Sequence, residues 1–305
     1  MRGSRGAILA TLGAGLLWGS SFSVIKVGLR TIDPYWFVVL RFACASVVAV
    51  SYLAIVGRLR DAARLLRNPL VIWLGVANAV GFVLQFKGQT LTTAGHAALI
   101  INSCTIYVAI ASRFVFRERF GPLKMLAVAT GMLGVFLVTT GGRPGAALGS
   151  ELRGDLLILV AAFTWTAFIL LDKKIVATLP VDVRALTGAM VVVTAASALP
   201  FALLFGRGSF PSRSPEWWTV PYTAIFCTVI PFFLWTWGLK RITATTSSVI
   251  MLSEVVFALA LAAAILDERL APAGFAGSAL IILAVLLASR EPPGEPVAGP
   301  DLVPE

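Results

Sequence analysis

The feature that most constrains the fold is a pattern that occurs twice in the chain, 150 positions apart. The segment TTAGHAALIINSCTIYVAIASRFVFRERFGP begins at Thr92, and its second copy, ITATTSSVIMLSEVVFALALAAAILDERLAP, begins at Ile242. An earlier match, offset by 147 positions, aligns Ala14, Trp18 and Lys26 with Ala161, Trp165 and Lys173. The chain therefore consists of two related halves.

Each half contains five apolar stretches, and this number fixes how the halves are oriented. A chain that crosses a membrane five times ends on the opposite side, so the second copy must begin there and run inverted relative to the first. Inverted repeats are typical of secondary transporters, which bind their substrate at the interface between the copies.

The composition indicates a membrane protein. The 305 residues are 58% hydrophobic and only 13% charged, whereas soluble domains carry about 25% charged residues. The apolar runs are about 20 residues long, enough to span a bilayer as helices, and they lack the alternation of membrane β-strands. Ten runs fit, at residues 7–28, 35–56, 69–90, 95–116, 121–141, 154–176, 183–206, 217–238, 244–266 and 272–289.

These runs predict an all-α integral membrane protein with ten transmembrane helices in two inverted five-helix repeats. The first repeat covers residues 7–141 and the second covers residues 154–290. The remaining segment, 291–305, is acidic and rich in proline, so we expect it to be disordered. A monomer is compatible with this architecture.

The net charge of +10 reflects membrane orientation, and nucleic-acid binding is not needed to explain it. With a cytoplasmic N-terminus, sixteen of the 25 Lys and Arg residues fall on the inner side and eight on the outer side. Positive residues are enriched in cytoplasmic loops. The sequence therefore predicts a multi-pass protein of the cytoplasmic membrane with both termini inside.

Motifs for enzymatic and metal chemistry are missing. The sequence has no GxxxxGK[ST] phosphate loop, no HExxH and no GxSxG, and its one histidine, His96, has no ligand-spaced companion. Cys44, Cys104 and Cys227 lie singly in predicted helices. We therefore expect no cofactor, no metal and no enzymatic activity.

Several polar and aromatic residues inside the predicted helices are candidates for a central substrate cavity. Trp18 and Trp165 occupy matched positions, and Ser21 follows Trp18 by three residues. On the third helix, Asn78, Phe82, Gln85 and Gln89 share one face. Packing between helices is the alternative role for all of these groups. The residues predicted to converge on one chamber are Trp18, Asn78, Gln85, Asn102, Trp165 and Trp235.

Glu254 is the acidic residue predicted at mid-membrane depth in the ninth helix. A charge at this depth costs about 2.5–3.5 kcal/mol on insertion scales. Proton coupling, contact with a substrate amine and a structural ion pair are the three roles left open. Arg41 is interpreted as a structural anchor near the outer surface, and Lys26 and Lys173 as residues that extend to the membrane interfaces.

The order of these motifs resembles that of the drug/metabolite transporter superfamily, EamA type. The resemblance rests on GLLWGSSFSVIK in the first helix, LRF in the second, and RERFGP and DERLAP after the fourth and ninth. It implies a ten-helix basket with a central cavity and secondary transport of small metabolites, often amino-acid efflux, across the inner membrane. Trp18 and Glu254 match family-typical positions. Relatives commonly carry proline after this glutamate, where this chain has Val255.

The resemblance and the residues together predict an exporter of a small metabolite such as an amino acid, with protons as a candidate coupling ion. Its partners are this substrate and the lipid bilayer. A channel or a non-transporting sensor on the same fold is the alternative, and a membrane-embedded enzyme is the third class.

The orientation can be tested with reporter fusions. Fusions after residue 64 and at the C-terminus should report from the cytoplasm, because the excess of Lys and Arg lies on that side. A fusion near residue 147 should report from outside. A cytoplasmic signal at residue 147 would contradict the inverted repeat.

Overall fold

The computed structural model describes residues 2–92, 94–118, 121–143, 152–207, 215–266 and 272–290. These residues form helices and no strand. The predicted disordered tail, 291–305, and most of the segment between the halves lie outside the described residues.

Two helices of the first half begin at capping residues that the sequence supplies. Asp33 accepts hydrogen bonds from the backbone N–H groups of Tyr35 and Trp36, and Asn68 accepts one from Leu70. A proline follows each cap at the first helical position, where a missing N–H costs nothing. The helices are α1 (Arg2–Gly28), α2 (Pro34–Ile55), α3 (Leu59–Leu65), α4 (Pro69–Gln89), α5 (Ala94–Asn102), α6 (Cys104–Val115) and α7 (Pro122–Thr140).

The second half repeats the order, with one irregular helix. A 3₁₀ turn at Pro215–Trp218 leads into α10, and a π-helical stretch at Ile225–Val229 joins α10 to α11. The helices are α8 (Leu152–Thr178), α9 (Val183–Phe205), α10 (Thr219–Ala224), α11 (Ile230–Leu239), α12 (Ala244–Met251), α13 (Ser253–Leu266) and α14 (Pro272–Ser289).

Eight helical stretches in the described chain are long and apolar enough to cross a membrane, and Leu99–Val115 is a shorter apolar one. This agrees with a multi-pass membrane protein. The eight are Pro34–Ile55, Pro69–Gln89, Pro122–Thr140, Leu152–Thr178, Val183–Phe205, Pro215–Leu239, Ala244–Leu261 and Pro272–Ser289.

The predicted helices at 95–116 and 244–266 are each broken near the middle. The N–H of Ser103 bonds to Ile100 O and the N–H of Ile106 bonds to Ser103 O, a spacing of three residues. Around Leu252 the same pattern joins residues 249, 252 and 255. The second break forms although Val255 stands where relatives carry proline. The two breaks lie within one residue of matched positions.

Close contacts at glycine also recur in both halves. A Cβ atom added at Gly238 of α11 would lie 2.9 Å from Ala7 O of α1, and one added at Gly88 of α4 would lie 3.2 Å from Gly154 O of α8. Gly88 and Gly238 are 150 residues apart, and Ala7 and Gly154 are 147 apart. Small residues let membrane helices approach closely. The same close helix contact therefore occurs in both halves.

Helices α7 and α14 pack against each other through glycine. A Cβ at Gly277 would lie 2.6 Å from Gly134 O, and a Cβ at Gly134 would lie 2.7 Å from Gly277 O. Ala127 and Ala284, the residues at the positions matched to this pair, are fully buried in one cluster. The contact therefore joins the halves symmetrically.

Gly277→Ala should lower the thermal stability of the purified protein, because the added methyl group meets a backbone oxygen that cannot rotate away. The expected loss is about 1–3 kcal/mol, measured by thermal unfolding in detergent. Gly274→Ala on the same helix is the control, since its Cβ would meet only Leu259 Cδ2 at 3.5 Å. Equal melting temperatures for the two variants would contradict this packing.

Candidate functional site

The centre of the protein contains aromatic rings from matched positions of the two halves. Phe82 of α4 and Phe232 of α11 meet edge to face with their centroids 6.5 Å apart. Trp165 lies edge-on to Phe82 at 4.8 Å, and Trp18 lies edge-on to Phe232 at 5.1 Å. The two tryptophans therefore occupy equivalent places, and both remain partly exposed between the helices.

The two indoles donate to different acceptors. Trp165 Nε1 donates to Gln85 Oε1 at 2.9 Å, and Trp18 Nε1 donates to Cys227 O at 3.0 Å. Buried indole N–H groups usually find a partner. Here one partner is the side chain of Gln85, on the polar face of α4, and the other is a backbone carbonyl.

The Cys227 carbonyl is free for Trp18 because of Pro231. In a regular helix this oxygen would accept from the N–H four residues later, which proline lacks. The chain here is π-helical, with the N–H of Ile230 bonded to Ile225 O. Such π-helical turns are frequent at functional sites.

Arg41 of α2 also binds this segment. Its Nη2 donates to Cys227 O at 2.6 Å and its Nε donates to Thr228 Oγ1 at 2.7 Å. The guanidinium lies over the Phe82 ring, 4.6 Å from the centroid, and is 1% exposed. Arg41 was expected as an anchor near the outer surface. It is buried among the central rings, where Cys227 O, Thr228 Oγ1 and the Phe82 ring are its partners.

One pair of central rings in the second half is matched by polar residues in the first half. Phe168 stacks on Trp235 with an interplanar angle of 17° and a centroid distance of 5.6 Å. The residues matched to this pair are Ser21 and Gln85. Ser21 is nearly buried, and its hydroxyl donates to Trp18 O within α1. The second half thus has two aromatic rings at positions where the first half has a hydroxyl and an amide.

Asn78 and Asn102 are the two asparagines predicted to line the chamber. Asn78 is fully buried against α9, where its Nδ2 donates to Thr194 Oγ1 at 3.0 Å and lies 3.2 Å from Met190 Sδ. Asn102 is 5% exposed and ends α5 at the first helix break. The structure brings Trp18, Gln85, Trp165 and Trp235 together, whereas substrate contacts of the two asparagines stay predictions.

Glu254 follows the second helix break. Helix α1 approaches it closely, since a Cβ at Gly19 would lie 2.7 Å from Glu254 O. Its side chain is partly exposed and makes no hydrogen bond or ion pair with the described residues. Cys104, its match in the first half, lies within electrostatic range. The carboxylate is therefore available to a ligand or a proton.

Sequence reasoning missed two buried acids and the partners of one lysine. Asp172 is 1% exposed and accepts a hydrogen bond from Thr236 at 2.8 Å. Glu118 was seen only as part of RERFGP, although it binds the start of α12. Lys173 has specific partners, since its Nζ donates to Leu239 O and Ile242 O between α11 and α12. Asp172 could have been found as a charge within a predicted span, but the partners of Glu118 and Lys173 come from distant segments.

Comparison with known proteins is consistent across family, relatives and structure. The family model described as the EamA-like transporter family matches residues 5–140 and 152–290. An uncharacterized transporter of Archaeoglobus fulgidus is 27% identical over 83% of this chain and 87% of its own. The inner membrane transporter YedA of Escherichia coli is 24% identical over 93% and 92%.

A third relative and a solved structure add to this picture. A probable amino-acid metabolite efflux pump of Escherichia coli is 25% identical, over 88% of this chain and 89% of the relative. A crystal structure titled only as that of a protein superposes with a TM-score of 0.77 and 20% identity, over 92% of this chain and 96% of that one. The similarity to this crystal structure shows the fold alone.

The binding mode of Arg41 predicts an unusual order of stabilities. Arg41→Lys should lower the melting temperature more than Arg41→Met. Lysine keeps a buried charge but cannot reach both acceptors or lie flat on Phe82, whereas methionine removes the charge and fills the space. Thermal unfolding of the two purified variants decides this. A lysine variant at least as stable as the methionine variant would contradict the arrangement.

Proposed function

The chain belongs to the EamA-like transporter family, and on that premise we propose that it is a secondary transporter that exports a small metabolite such as an amino acid. It would work by alternating access around the aromatic centre, in the cytoplasmic membrane, with both termini inside. The amino-acid class and the direction are supported by the efflux pump among its relatives.

The proposal includes ten membrane spans in two inverted repeats. Helix α1 is 27 residues long, about 40 Å at 1.5 Å per residue, and α5 with α6 supplies a further span. These two add to the eight long apolar stretches. The recurrence of the helix breaks, the glycine contacts and the ring contacts of Phe82 and Phe232 supports one architecture used twice.

The observation that carries the proposal is the unpaired carboxylate of Glu254 at a helix break inside a span. A charge in this position is expensive and is generally functional. Broken helices near the bilayer midplane form substrate and ion sites in transporters. Trp18, one turn of α1 from this break, faces the aromatic centre. Glu254 would bind either a substrate amine or the coupling proton.

The remaining site residues divide the recognition of an amphipathic substrate. Trp18, Trp165 and Trp235 offer ring faces to its apolar part. Gln85 and Ser21 offer hydrogen bonds on the polar side, with Asn78 and Asn102 as further predicted contacts. Pockets of this kind combine apolar walls with a few placed polar groups.

Transport itself is tested by counterflow in proteoliposomes. Vesicles preloaded with one unlabelled amino acid at a time should accumulate the same labelled amino acid transiently, because a carrier exchanges. A channel would equilibrate the label without accumulation, and a sensor or an enzyme would do neither. Absence of counterflow with any amino acid, while another metabolite class exchanges, would overturn the amino-acid assignment.

Glu254→Gln separates the roles of the carboxylate. If Glu254 carries the coupling proton, the variant should lose uphill transport driven by a pH gradient and keep exchange, because the amide preserves size and cannot release a proton. If Glu254 binds a substrate amine, affinity should fall by roughly tenfold or more in both modes. Both assays are run on the same purified variant.

Asp61→Asn is the matched control, since Asp61 is an exposed acid outside the predicted spans. Its transport should equal that of the unaltered chain in both modes. Normal pH-driven accumulation and normal affinity in Glu254→Gln would remove Glu254 from the site.

A further inference from the structure

The junction between α11 and α12 is held by two charged side chains from other helices. Lys173 of α8 donates to Leu239 O at 2.8 Å and to Ile242 O at 2.7 Å. These carbonyls lie at the C-terminal end of α11, where the helix dipole is negative. The positive charge of Lys173 is stabilised there, and its hydrogen bonds hold the end of α11 against α8.

Glu118 holds the other side of this junction. It lies between α6 and α7 in the first half, and its Oε1 accepts from the backbone N–H of Ala244 at 2.9 Å. Its Oε2 accepts from Thr245 Oγ1 at 2.8 Å. The carboxylate therefore occupies the positive N-terminal end of α12. The contact joins the first half of the chain to the second.

The surroundings of Glu118 shield this contact from water. The side chains of Glu118 and Lys124 are each 7% exposed, and Lys124 Nζ lies 3.7 Å from Glu118 Oε2. Ser112 Oγ of α6 lies 3.2 Å from the same oxygen and 2.8 Å from Thr245 Oγ1. Charge-assisted hydrogen bonds of this kind are about twice as strong as neutral ones.

The backbone before Glu118 supports the same arrangement. Arg117 has a φ of 53°, in the left-handed region that residues other than glycine seldom adopt. Such a conformation persists only where the surrounding contacts hold it, and it is frequent at switch regions. Here it turns the chain so that the next side chain reaches α12.

The matched positions in the other half cannot form this network. Ser112, Thr245 and Lys124 correspond to Ala262, Gly95 and Gly274, none of which carries a polar side chain. The glutamate recurs as Glu268 and Lys173 matches Lys26, so the difference between the halves lies in the three residues around Glu118. An inverted repeat places these positions at the opposite membrane face, where Ser112, Thr245 and Lys124 have no polar counterpart.

We infer that Glu118, Lys124, Ser112, Thr245 and Lys173, here called the latch, keep one face of the transporter closed and must separate when the site opens to that face. The inference rests on the proposed function, whose orientation places the latch on the cytoplasmic side. Because Ser112, Thr245 and Lys124 add hydrogen bonds and charge that the matched residues Ala262, Gly95 and Gly274 cannot supply, the unliganded protein favours the state that is closed to the cytoplasm.

A buried reporter cysteine tests the latch without a transport assay. Ser248 is 3% exposed in α12, one turn beyond Thr245, and its carbonyl accepts from Thr105 of α6. Ser248→Cys is placed in a chain that also carries Cys44→Ala, Cys104→Ala and Cys227→Ala. Labelling by a membrane-impermeant maleimide is then timed in inside-out and right-side-out vesicles.

Glu118→Gln in this reporter chain should raise the labelling rate roughly tenfold or more, in inside-out vesicles only, because it removes the charge that binds α12. The double variant Ser112→Ala, Thr245→Ala should act in the same direction, and it decides the matter if Glu118→Gln does not fold. Asp61→Asn, an exposed acid paired with Arg58, is the control and should not change the rate.

Unchanged labelling in a folded Glu118→Gln or double variant would overturn the latch, as would faster labelling in right-side-out vesicles alone. Counterflow is measured separately on the unaltered chain. A chain that shows no counterflow but labels as expected would refute the proposed function and retain the latch as a conformational contact.

Discussion

The carbonyl oxygen of Cys227 is the acceptor on which the centre of the structure depends. Pro231 removes its normal helical donor, and the π-helical stretch presents it to Trp18 and Arg41. In a bilayer every backbone polar group needs a partner inside the protein. One freed carbonyl therefore ties α1 and α2 to the helix that carries Phe232, and it fixes the ring against which the opposite half packs.

The two halves share the same helix breaks and helix contacts, but they differ in the chemistry of their side chains. The helix breaks, the glycine contacts and the edge-on tryptophans recur at matched positions. Glu254 and the Phe168–Trp235 stack occur in the second half only. A symmetric frame allows two related conformations, and under the proposed function the side chains that differ between the halves would make one of them more stable.

The repeat, the helical class and the family followed from the sequence because they depend on hydrophobicity and on local motifs. The break at Leu252 was not predicted, since no proline marks it and the residues of α1 that pack beside it, Gly15 and Gly19, are far away in sequence. The partners of Arg41, Cys227 O and the Phe82 ring, could not be predicted because they come from segments far away in sequence. Asn78 shows the same limit, since a polar stripe on α4 does not reveal that Thr194 of α9 binds it.

Alternating access between two inverted halves is the central claim, and distances between spin labels test it most directly. One label pair replaces Phe114 and Arg241 near the latch, and a second pair replaces the matched residues Leu91 and Ala264. Double electron–electron resonance measures the distance within each label pair. When an amino acid that the chain exchanges is added, the distance in one pair should lengthen while the distance in the other shortens. Distances that change together, or a substrate that changes neither, would contradict the account.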